Sequence, residues 1–142
     1  MDETNKHLIQ VVAGVNVKHI DGIPHVLLGL KTHGHWEFPG GKIENTESHS
    51  QAMEREWMEE LGVNVTMDDN RFGHARNGMF DIWFYEVDVD EASGNQEPIA
   101  KEHVEVKYFN LDEIQEEILG QWVPKMNATN RVMMSKVLSK YK

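Results

Sequence analysis

Residues 40–63 read GGKIENTESHSQAMEREWMEELGV, and the spacing of their glycines, glutamates and one arginine decides how the whole chain is read. Counted from Gly41, the order is glycine, five residues, Glu47, seven residues, then Arg55-Glu56-Trp57-Met58-Glu59-Glu60-Leu61-Gly62-Val63. Pro39-Gly40-Gly41 is a turn signal, because glycine reaches backbone angles that other residues avoid. Ser48 with Gln51 three residues later has the form of a capping box, which predicts a helix start near Ser48. Gly62 suits the left-handed position that closes a helix. Between them Met53, Trp57 and Leu61 recur every fourth residue and form an apolar seam.

At about 100° per residue, Glu56 and Glu60 fall nearly in line on such a helix, with Glu59 on the same flank. Carboxylates this close repel, by about a few tenths of a kcal/mol per i,i+4 pair on a bare helix. A hard divalent cation offsets the repulsion, since Mg²⁺ prefers carboxylate oxygens and keeps waters beside phosphate ligands. Arg55 leans back toward Glu47 as an orienting ion pair. Taken alone, E-x-x-E-E describes an ordinary solvated acidic face. The full pattern around it points to a metal-binding one.

That full pattern resembles the Nudix box, G-x5-E-x7-R-E-U-x-E-E-x-G-U, where U is a bulky aliphatic residue. Gly41, Glu47, Arg55, Glu56, Glu59, Glu60, Gly62 and Val63 match in register, and Trp57 departs at the first U. The run Trp36-Glu37-Phe38-Pro39-Gly40-Gly41-Lys42 is similar to the one leading into the box in the MutT-like branch. The resemblance implies an α/β/α sandwich, a mixed sheet between helices with the box as a loop–helix–loop beside it. It also implies hydrolysis of a nucleoside diphosphate linked to another group, with Mg²⁺ as cofactor and Mn²⁺ as the alternative ion. On that analogy Glu56, Glu59 and Glu60 hold the metal and the Gly40 carbonyl is a further ligand. Arg55 and Glu47 orient the catalytic group, and Lys42 is placed for phosphate contact. MutT-like relatives often add a glutamate from the loop before the last strand, which points to Glu102, with Glu105 second. Base recognition falls to Phe80 or Trp83 by stacking and to Asn127 or Asn130 by hydrogen bonding. Core packing for the aromatics and helix capping for Asn127 are the competing readings.

Composition sets the bounds. The 142 residues suit one domain spanning 1–142 with a genuine core. A net charge of −10 argues against a nucleic-acid groove, which needs a basic footprint. An acidic protein handling an anionic nucleotide needs metal to neutralise its substrate. The absence of cysteine excludes disulfides and thiolate chemistry. No apolar run reaches membrane-spanning length, and MDETNKH lacks the basic and apolar regions of a signal peptide, so a cytoplasmic protein, monomer or homodimer, is expected.

Along the chain, Leu8–Val17 and His25–Leu30 read as strands of a hairpin turning at Asp21-Gly22-Ile23-Pro24. His33-Gly34-His35 reads as a loop rather than a metal site. After the box, Val63–Met67 and Arg71–Ala75 read as short strands separated by a turn at Asp68-Asp69-Asn70. Asn77-Gly78 turns into a long strand, Met79–Val89. Asp90–Pro98 reads as a loop, and Val104–Phe109 as the last strand. A short helix follows at Leu111–Ile114 with Asp112 as cap, then breaks at Gly120 and Pro124. An amphipathic helix over Asn127–Tyr141 presents Val132, Met133, Val137 and Leu138.

The leading expectation is hydrolysis of a nucleoside triphosphate to the monophosphate and pyrophosphate, in the service of nucleotide-pool sanitation. ADP-ribose, a dinucleotide or a nucleotide sugar is the alternative substrate. A non-catalytic Nudix-fold nucleotide sensor is the reading from another class. The intact set of box glutamates weighs against it.

Overall fold

The computed structural model describes residues 8–90, 97–116 and 122–141. The opening MDETNKH, most of the expected Asp90–Pro98 loop and Gly120 lie outside them. Strand β1 (Ile9–Val15) sits inside a sheet of order β5-β1-β7-β6, where β5 is Gly40–Lys42, β6 Val65–Asn77 and β7 Phe80–Val89. β1 runs parallel to β7 and antiparallel to β5. In a second sheet, β3 (Ile23–Leu30) pairs antiparallel with β2 (Val17–Ile20), β4 (Trp36–Glu37) and β8 (Glu105–Asn110). Two-residue strands β9 (Gln115–Glu116) and β10 (Trp122–Val123) pair separately. The helices are α1 (His49–Leu61) and α2 (Ala128–Tyr141).

Successive residues of a strand face opposite sides, and that alternation divides the core in two. Val12, Leu27 and Tyr85 pack with Ala52, Met53, Trp57 and Leu61 of α1. Their neighbours Ala13, Leu28 and Phe84 pack with Met133, Met134 and Val137 of α2. Strands lie between the two helices, which is the α/β/α sandwich the box implies.

Four expectations need correction. Leu8–Val17 is not one arm of a hairpin: the chain changes sheets at Asn16, and only Val17–Ile20 pairs with β3. The reason is a buried polar group, since Asn16 Nδ2 donates to the Val87 carbonyl at 2.8 Å and Oδ1 accepts from Tyr108 Oη at 2.6 Å. Asp68–Asn70 does not end a strand; β6 runs through it with register shifts between Met67, Arg71 and Gly73, so the polar run is absorbed as a bulge. The short helix is a 3-10 turn, Leu111–Glu113, capped by the Asn110 side chain accepting from Asp112 N rather than by Asp112. In α2 the buried positions are Asn130, Met133, Met134 and Val137, while Val132 is 56% exposed.

The box helix follows its sequence closely. Ser48 and Gln51 form both halves of the capping box, and Gly62 closes the helix at φ 69°. Trp57, the departure from the aliphatic pattern, is fully buried and donates from Nε1 to the Pro39 carbonyl at 3.2 Å. Gly14 makes the room: a Cβ there would lie 2.6 Å from Trp57 Cζ2.

Candidate active site

The box loop closes onto the first sheet because β5 is itself a strand. Gly41 and Gly40 pair with Val12 and Ala13, and a Cβ on Gly40 would meet the Val12 carbonyl at 1.9 Å. A Cβ on Gly41 would lie 2.3 Å from Glu56 Cδ. Both glycines are therefore demanded by close approach, Gly40 of the backbone and Gly41 of the Glu56 carboxyl.

Arg55 is the hub that orders the acidic groups. Its Nε and Nη2 donate to the two oxygens of Glu47 at 2.7 and 3.0 Å, a bidentate pair. Nη1 reaches Glu56 at 2.9 Å and Glu59 at 3.2 Å, and Nη2 also donates to the Lys42 carbonyl at 2.9 Å. Glu47 in turn accepts from Glu44 N at 2.9 Å. These bonds hold the Glu47 carboxyl below the usual carboxylate range, the Arg55 bond most of all. The expected Arg55–Glu47 pair is present, and it ties the box loop to its helix.

Glu56 and Glu60 sit deeper. Burial raises the Glu56 carboxyl in spite of Arg55 beside it. Glu60 is pushed up to about 9, first by burial and then by the charges of Glu56, Glu37 and Glu102. Its Oε2 is buried without a hydrogen-bond partner among the described residues. A buried carboxyl oxygen with no partner, crowded by other carboxylates, has the chemistry of a cation ligand: a divalent ion would satisfy the oxygen and cancel the repulsion. Glu59 is more open, its side chain 52% exposed. Glu102 is exposed too, and its charge raises both Glu56 and Glu60.

A cleft of about 400 Å³ opens beside this cluster. Gly40, Gly41, Lys42 and Glu60 line it together with Phe80, Asn127 and Asn130, so one space brings the box to most of the expected base-contact residues. Asn127 lines the cleft, and its Oδ1 caps α2 by accepting from Asn130 N at 2.9 Å. Trp83 is the exception and does not line the cleft. Phe80, Ile82 and Phe84 do, and alternation along β7 turns Trp83 to the other face. There it stacks on His74 at 4.0 Å between centroids and donates to Gln10 Oε1 at 2.8 Å.

Sequence reasoning missed Lys31, Glu37 and Asn77 in the cleft and His103 behind it. Glu37 lies within the WEFPGGK run, where its position beside the paired glycines is the available signal. His103 gives none beyond adjacency to Glu102. His33 and His35 meet each other, Nδ1 to Nδ1 at 3.0 Å, on the expected loop, which turns at Gly34, and His33 also lines the cleft.

A sandwich with a glycine-closed carboxylate helix at a cleft defines a Nudix-type domain. The NUDIX domain family model matches residues 17–131, and the chain belongs to that family, whose hydrolases use divalent metals. It is 41% identical over 64 residues to an 8-oxo-dGTP diphosphatase of Proteus vulgaris, covering 44% of this chain and 57% of that one. It is 49% identical over 43 residues to a CTP pyrophosphohydrolase of Escherichia coli K12, covering 30% of this chain and 32% of that one. The chain thus matches less than two thirds of the length of either curated relative. Over nearly the whole chain it superposes on a MutT structure from a study of the Aliivibrio salmonicida and Vibrio cholerae proteins. The TM-score is 0.73 at 28% identity, covering 94% of this chain and 98% of that one. Among the described residues no helix is long and apolar enough to cross a membrane.

Proposed function

We propose that this chain, acting as a single domain, is a Mg²⁺-dependent nucleoside triphosphate pyrophosphohydrolase that releases the monophosphate and pyrophosphate. The observation that carries the reading is the buried Glu60 carboxyl, whose Oε2 has no partner among the described residues, beside a cleft that also holds Lys42, Phe80 and two asparagines. The names of the two curated relatives, one acting on 8-oxo-dGTP and one on CTP, support a triphosphate substrate. Removal of a damaged or unwanted nucleotide from the pool is the role that fits such an activity.

Glu56, Glu59 and Glu60 would hold the metal, with the Gly40 carbonyl and Glu102 as further ligands. The ion supplies neutralisation of the phosphate charge and a lowered pKa for the attacking water. The chain's own residues do the rest. Arg55, fixed by Glu47, keeps Glu56 and Glu59 aimed in the direction the box helix gives them. Lys42 lines the cleft and offers a cation to the phosphates. Phe80 stacks on the base, and Asn127 and Asn130 read its edge. In balance, water forms one new P–O bond, the bridging P–O bond breaks, pyrophosphate departs, and a carboxylate takes the proton.

The test is phosphorus NMR of products formed from canonical and oxidised nucleoside triphosphates, ADP-ribose and dinucleotides with Mg²⁺. Pyrophosphate and a monophosphate from one triphosphate, well ahead of the others, are expected. Turnover confined to ADP-ribose or dinucleotides would replace this substrate class with the alternative one. Nucleotide binding without turnover would make the chain a sensor.

A further inference from the structure

We infer that Glu37, Glu60 and His103 form a second divalent-cation site, beside the box and suited to a first-row transition ion such as Mn²⁺ or Zn²⁺ rather than to Mg²⁺. Three separate elements meet here: Glu37 from β4, Glu60 from the last turn of α1, and His103 from the segment before β8. One donor atom from each lies within 4.8 Å of the other two. His103 Nε2 is 2.9 Å from Glu37 Oε2 and 3.9 Å from Glu60 Oε1. Donors about 2.1 Å from a common ion stand about 3.0 Å apart when adjacent and about 4.2 Å apart when opposite. Two of the separations, 2.9 and 3.9 Å, lie close to those limits and the third is no more than 4.8 Å, so modest side-chain adjustment would close the site.

Two further observations point to a ligand. The Glu60 and His103 side chains are only 8% and 4% exposed, and Glu60 Oε2 has no partner among the described residues. Gly29 in β3 leaves the space the imidazole occupies, since a Cβ there would lie 2.5 Å from the ring. A plain Glu37–His103 hydrogen bond explains the short contact but not why the buried Glu60 carboxyl is turned toward the same imidazole from 3.9 Å, beyond hydrogen-bond reach. A cation between the three groups explains both.

The donor set selects the ion. Mg²⁺ prefers oxygen ligands throughout and dehydrates reluctantly, whereas first-row transition ions accept an imidazole nitrogen beside carboxylates. Two carboxylates and a neutral imidazole also balance a doubly charged ion. Glu60 is shared with the box, yet a nitrogen-coordinated ion here stands or falls independently of nucleotide hydrolysis.

The experiment adds Mn²⁺ to the metal-free full chain and reads nitrogen hyperfine modulation by pulsed electron paramagnetic resonance, with no turnover required. The wild type is expected to show imidazole nitrogen coupled to Mn²⁺. His103→Gln is expected to lose that signal, with circular dichroism confirming the fold, while His33→Gln and His35→Gln keep it. Glu37→Gln, which leaves the histidine in place, is expected to weaken binding of the nitrogen-coupled ion about 10-fold or more. Absence of nitrogen coupling in the wild type overturns the site, as does its persistence in folded His103→Gln. Should His103→Gln fail to fold, Glu37→Gln decides, and unchanged Mn²⁺ affinity in it overturns the site.

Discussion

At the scale of single residues, Glu60 makes a thermodynamic statement as well as a chemical one. Its folded value of about 9 stands above the ordinary 4.5, so the folded chain binds this proton more tightly than the unfolded chain does. The contribution to stability is full below about pH 4.5 and is lost as pH rises through about 9. The metal-free protein should therefore melt at falling temperature across that window, and Glu60→Gln should flatten the decline. Added Mg²⁺ should raise the melting temperature more at high pH, because its ligands must be deprotonated. Scanning calorimetry against pH checks all three, and a wild-type slope unchanged in Glu60→Gln would contradict the assignment. Phe80 and Trp83 separate by the same logic of place. Phe80→Ala should raise KM roughly tenfold if the ring stacks on a base, while Trp83→Phe, outside the cleft, should leave KM unchanged. The sequence could not make that distinction, because both residues sit on one strand and only the direction of the pleat tells them apart.

At the scale of elements, the box helix is legible in the sequence, and the reasons are local. Ser48–Gln51 and Gly62 are caps whose chemistry depends on a few neighbouring residues, and the Arg55–Glu47 pair joins the helix to the loop just before its cap. What the sequence hides depends on distant partners. The fit of Trp57 could not be foreseen, since it rests on Gly14 in another strand, where a Cβ would lie 2.6 Å from the indole. Gly14→Ala should cost about 1–3 kcal/mol by overpacking, and Trp57→Leu about 3 kcal/mol through the cavity it leaves. Combined, they should cost less than the sum, with coupling of about 1 kcal/mol or more, measured by urea unfolding. Strict additivity would show that the two residues do not share one space. His103 escapes notice for the same reason, as the glycine that accommodates it belongs to β3.

At the scale of the molecule, two sheets with a core on each face hold the box glycines against the cleft. The alternation of β1, β3 and β7 specifies both cores, yet the sequence does not announce where the chain passes from one sheet to the other. That passage occurs at Asn16, buried and bonded to Val87 of one sheet and Tyr108 of the other. Asn16→Ala removes both bonds and should destabilise the protein by about 1–3 kcal/mol, read as a shifted urea midpoint with an unchanged slope. The unity of the molecule matters because the cleft is lined by residues of β1, β5, α1, β7 and α2 together, so it exists only in the assembled fold. The most direct measurement is pyrophosphate release from the preferred nucleoside triphosphate by wild type and Glu60→Gln, each with Mg²⁺ and with chelator. Release by the wild type with Mg²⁺ alone, reduced more than about 100-fold in a folded Glu60→Gln, is the expected result. Comparable release by the variant, or by the wild type in chelator, would contradict the assignment of the box carboxylates as the metal-binding centre.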